Sequence, residues 1–73
     1  VKIRINPLDH DPPHAHIELR SHPGAKLRIN LVTGALMDSV PKGLSARKVR
    51  DLQAAVIENG ARLRGMWAEY QDA

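Results

Sequence analysis

The apolar residues of this chain change period once, and that change constrains its fold more than any other feature. Up to residue 40 the period is two. Val1, Ile3 and Ile5 alternate with Lys2, Arg4 and Asn6. Ala15, Ile17 and Leu19 alternate with His14, His16, Glu18 and Arg20, and Ala25, Leu27, Ile29 and Leu31 alternate with Lys26, Arg28 and Asn30. Successive strand side chains point to opposite faces, so each run predicts a strand with one buried face. From Ser45 onward the steps become three or four: Val49, Leu52, Val56, Gly60, Leu63, Trp67 and Tyr70. That spacing is one face of a helix.

The punctuation agrees with the periods. Asn6-Pro7 stops the first run, and Asp9 to Pro13 reads as a loop. Ser21-His22-Pro23-Gly24 is a turn with proline and glycine placed as type II prefers. Thr33-Gly34 is a second turn, after which Ala35 to Val40 can form a fourth strand. Pro41-Lys42-Gly43 ends the sheet, and Ser45 is a good N-cap. Asn59-Gly60 is the weak point of the helix. The expectation is one long helix, with Gly60 on the buried stripe allowing close approach to the sheet; a break into two helices is the alternative. The prediction is therefore an α+β domain over residues 1–73. A three- or four-stranded antiparallel β-meander within 1–40 packs under one long C-terminal α-helix at about 45–71.

With 73 residues there is room for one domain and a small core. The chain has no cysteine, so neither a disulfide nor a thiolate metal site supports it. Packing, a metal held by nitrogen and oxygen ligands, or a partner subunit must do so. No apolar run reaches membrane-spanning length and no secretory signal is visible, so a cytoplasmic protein without membrane contact is expected. The chain opens on Val1, already in a strand, so a segment before it is expected.

Eleven lysines and arginines against eight acids give a net charge of +3. Alternation segregates that charge. Lys2, Arg4, His14, His16, Arg20, Lys26 and Arg28 fall on the polar side of the strands, with Glu18 the only acid among them. Such a face can track an RNA backbone through phosphate contacts. It has no aromatic residue for base stacking. A merely solvated face is the plainer alternative. Arg47, Lys48 and Arg50 at the start of the helix oppose its dipole, and with free backbone N–H groups they also suit an anion.

Chemistry concentrates in Asp9-His10-Asp11-Pro12-Pro13-His14-Ala15-His16. His14 and His16 share a strand face, and His10 sits across a proline-stiffened loop. Three imidazoles with an open position would make a zinc site, with Asp9 or Asp11 ligating or orienting a ring. No cofactor is required, and zinc is the one that would fit. Without metal, His10, His14 and His16 can serve as general acid and base in RNA cleavage, with Arg4, Arg20 or Arg28 stabilising charge. The structural alternative has the aspartates capping turns, Pro12-Pro13 setting the strand start and the histidines bonded locally. His22, beside Pro23, reads as ordinary surface. Trp67 and Tyr70 read as core or partner contacts.

That eight-residue motif, followed by a short strand, the Thr33-Gly34 turn, Pro41 and a helix with the late Trp67, resembles the small bacterial domain-of-unknown-function family 4160. The family is marked by a D/N-H-x-P-P-H-x-H signature. The resemblance spans nearly the whole chain, and its specificity rests on the motif. It implies a small stand-alone bacterial protein, often encoded beside another small domain, with some members assigned as toxins of toxin–antitoxin pairs. By that resemblance Asp9, His10, Pro12, Pro13, His14 and His16 are the positions that matter. The expectation is a toxin–antitoxin-type component contacting RNA or a cognate protein through the motif and the basic sheet face. A small protein encoded nearby or a second copy of the chain is the expected protein partner. The alternatives are a non-catalytic partner-binding module and a zinc hydrolase.

Overall fold

The computed structural model describes residues 2–6 and 12–72, with side chains as far as Tyr70. Strands β1 (Lys2–Arg4), β2 (His14–Glu18) and β3 (Leu27–Asn30) precede helices α1 (Ala46–Glu58) and α2 (Gly60–Asp72). The sheet is antiparallel in the order β1-β2-β3. The turn between β2 and β3 closes one residue later than the Ser-His-Pro-Gly frame suggests. Ala25 N–H donates to the His22 carbonyl at 3.1 Å. Pro23 and Gly24 then fill the two central positions, and Gly24 takes the positive φ (+83°) that a type II turn requires.

Ala35 to Val40 does not form a fourth strand. It makes one isolated bridge, Leu36 to Ile29, flanked by Asn30 N–H to the Ala35 carbonyl (2.9 Å) and Met37 N–H to the Arg28 carbonyl (2.8 Å). Asp38 is the physical reason. Its Oδ2 accepts Arg28 N–H at 2.9 Å, where a continuing strand would present a carbonyl. The ladder ends in a side chain.

The C-terminal part is likewise not one long helix. Asn59 ends α1 with φ −96° and ψ 12°, outside the helical well. Its side-chain Nδ2 donates to the Ala55 carbonyl at 2.8 Å, the local bond that sets asparagine against helix continuation. Leu63 N–H still donates to the Asn59 carbonyl at 3.0 Å, so α2 resumes at once. The molecule's long axis is 38 Å; two 13-residue helices end to end span about 39 Å. Gly60 is buried, but it does not bring the helix onto the sheet. A Cβ there would lie 2.7 Å from Arg64 Nη1, and that guanidinium donates to the Leu31 carbonyl at 3.3 Å. Gly60 makes room for a side chain.

The core joins Ile5, Ala15, Ile17, Leu19, Leu27, Ile29 and Leu31 of the sheet layer to Leu52, Val56, Leu63 and Trp67 of the helices. These are the residues that alternation and helical spacing assign to the buried side. Burying them removes apolar surface from water and holds the two layers together. The helices thus pack on one face of the sheet; among the described residues no element packs over the other, the open face. No described helix is long and apolar enough to cross a membrane.

Candidate functional site

Register builds the site on the open face. His16 pairs with Arg4 on one side and with Arg28 on the other, so the three side chains form a row across all three strands. Each arginine of the row is met by an acid. Arg4 Nε lies 2.7 Å from Glu18 Oε1, and its guanidinium also donates to Asn6 Oδ1. Arg28 grips Asp38 as a fork, with Nε 3.1 Å from Oδ2 and Nη2 2.9 Å from Oδ1. Hydrogen bonds from Arg28 hold the Asp38 carboxyl below its ordinary range. Partial burial pushes the other way and loses; the Arg28 and His16 charges add to the lowering.

Asp38 is the functional-face residue that alternation misses. It is a second acid beside Glu18, where one was expected. Folding the chain back about Thr33-Gly34 would not have found it, because with Leu36 opposite Ile29 alternation puts Met37 beside Arg28 and Asp38 on the buried side; only the end of the ladder lets its carboxylate turn to Arg28. Arg4, Asn6, His16, Lys26, Arg28 and Asp38 line a shallow depression of about 470 Å³. Lys2 stands opposite Glu18. Lys2, Arg20 and Lys26 are exposed and form no ion pair among the described residues.

His14 departs from the alternation. It is only 5% exposed. Its ring centroid lies 5.0 Å from that of His16 and 5.4 Å from that of Trp67. Strand periodicity places a residue on a side, but at a strand's first position a covering helix can reach the ring. Nδ1 lies 2.8 Å from the Pro12 carbonyl. A carbonyl only accepts, so Nδ1 is the donor and carries a hydrogen. Pro13 contributes too: its carbonyl accepts Leu31 N–H at 2.8 Å, extending the β2–β3 pairing. Both proline carbonyls are therefore taken up at the strand start, one by the His14 ring and one by Leu31.

Asp9, His10 and Asp11 lie outside the described residues. Among the described residues, no group of three histidine, cysteine or acidic side chains is placed to hold a metal ion. His22 is more than ordinary surface. Its ring nitrogens lie 2.7 Å from Ser21 Oγ and 3.0 Å from the Lys42 carbonyl, tying the β2–β3 turn to the segment before α1. Arg47 and Lys48 are exposed in the first turn of α1, where Ser45 Oγ caps Lys48 N–H at 3.1 Å. They belong to the helix layer. The cations expected to bind an anion thus form two groups, one on each layer.

No protein-family model, curated protein or solved structure matches the chain.

Proposed function

We propose that the protein contacts single-stranded RNA through the open face of its sheet, as one component of the toxin–antitoxin-type pair that the motif's resemblance implies. The observation that carries this reading is the cross-strand row Arg4–His16–Arg28, flanked on the same face by exposed Lys2, Arg20 and Lys26. Among the described residues, five cations against two carboxylates make that face positive. Phosphates are its natural ligands, because arginine and lysine bind them without reference to base identity. His16 is the described histidine that lines the depression, so general acid–base work at a bound phosphodiester would fall to it.

Titration with a single-stranded RNA at two salt concentrations tests the reading. Each phosphate neutralised on a single strand contributes about −0.7 to the slope of log affinity against log salt. Three to five contacts therefore predict a slope of about −2 to −3.5, roughly a twenty- to hundredfold loss between 50 and 200 mM. Absent or salt-independent binding would overturn it. Resolving the same reactions on a gel shows whether the RNA is also cut.

A further inference from the structure

A carboxylate and a phosphate ask the same thing of arginine: two N–H donors in the plane of the guanidinium. On the open face Asp38 already takes them from Arg28, through Nε and Nη2. The contact sits in the depression that the RNA reading makes a phosphate seat. Asp38 also has a second hold, because its Oδ2 accepts Arg28 N–H at 2.9 Å. Its segment is otherwise tied to β3 by one bridge at Leu36, and Ser39 and Val40 beyond it are exposed.

We infer that Asp38 is a built-in competitor for the RNA phosphate at Arg28. In the free protein the carboxylate occupies the guanidinium fork. RNA phosphate takes the fork, and Asp38 keeps only the backbone N–H. The inference rests on the RNA-contact reading and adds its regulation: this face binds RNA more weakly than its cation count implies, and Asp38 sets by how much. It also gives the Asp38 side chain two states, forked on the Arg28 guanidinium without RNA and held by the Arg28 N–H alone with it, while Met37 and Leu36 keep the segment paired to β3.

Asp38→Asn is the direct test. An asparagine oxygen can still accept Arg28 N–H, while the charge is gone. The probe is a short single-stranded oligouridylate, titrated against wild type, Asp38→Asn, the double variant Asp38→Asn/Arg28→Gln, and Glu58→Gln. The last removes one exposed acid from the helix layer. Asp38→Asn should bind roughly threefold to tenfold tighter, the scale of one charge at contact distance in water. Glu58→Gln should gain less than about twofold, because salt screens remote charges. Adding Arg28→Gln should cancel the gain. A gain no larger than that of Glu58→Gln, or one that survives Arg28→Gln, overturns the inference while wild-type binding keeps the RNA reading standing. Binding by none of the proteins overturns both. Should Asp38→Asn fail to fold, NMR of the wild type decides. The Arg28 Nε–H and the Asp38 carboxyl carbon should shift together on adding the oligouridylate, and an unmoved Asp38 signal overturns the exchange.

Discussion

His14 and His16 are two residues apart on one strand and serve different ends. His16 stands between two arginines on the open face, while His14 is buried against Trp67 with its Nδ1–H on the Pro12 carbonyl. Replacing His14 with alanine removes a buried ring and leaves that carbonyl without its donor. Both effects destabilise, and together they predict a loss of about 2–3 kcal/mol for His14→Ala. His16→Ala should lose under about 1 kcal/mol, as expected of a half-exposed residue. Urea unfolding followed by fluorescence of Trp67, the only tryptophan in the chain, measures both. Equal losses would show that His14 does not anchor the strand start. The consequence for function is practical: RNA cleavage should be probed with His16→Gln, because a defect in His14→Ala reports folding as well as chemistry. The sequence singles out the motif but cannot divide its labour. Alternation assigns sides along a strand, and the meeting of His14 with Trp67 spans most of the chain.

The secondary-structure elements were legible where periodicity alone decides them. All three strands and the buried stripe of the helices lie where the apolar spacing puts them. Two boundaries were not, because each depends on one polar side chain competing with the backbone: Asp38 ends the sheet and Asn59 divides the helix. Two glycines make the same point energetically. Gly34 has φ +76°, and a Cβ there would lie 2.7 Å from Ile57 Cδ1. Its carbonyl also accepts Gln53 Nε2 at 3.0 Å, so the turn cannot drift away. Gly34→Ala should therefore cost about 1–3 kcal/mol in backbone strain and overlap. Gly60→Ala meets only the end of the flexible Arg64 side chain. The helix propensity gained, about 1 kcal/mol, offsets the weakened bond to Leu31, and the net change should stay within about 1 kcal/mol. A domain of this size shifts its Tm by roughly 4–8 °C per kcal/mol. Thermal unfolding should thus show a clear drop for Gly34→Ala and little change for Gly60→Ala. The reverse order would contradict the placement of both residues.

At the scale of the whole molecule, the two layers carry positive charge for different reasons, and composition cannot tell them apart. The sheet's open face holds Lys2, Arg20 and Lys26 around the arginine–histidine row, while Arg47, Lys48 and Arg50 sit on α1. Replacing either trio with glutamate takes the net charge from +3 to about −3, so both variants lose the same long-range attraction for RNA. At about 0.15 M salt that attraction is screened beyond roughly 8 Å, and only charges near the bound phosphates still matter. All six side chains are exposed, and substitutions at such positions usually leave stability little changed; only Lys2→Glu, which sets a second acid opposite Glu18, adds a cross-strand repulsion of up to about 1 kcal/mol. Acids near the start of α1 even suit the helix dipole. If the sheet face is the RNA site, the Lys2/Arg20/Lys26 variant loses more than about tenfold in affinity and most of its salt slope, while the helix variant keeps the wild-type slope. Equal losses would mean that net charge alone attracts RNA and no face is specialised. A greater loss in the helix variant would move the site to the start of α1, where free N–H groups and three cations already meet the requirements of an anion.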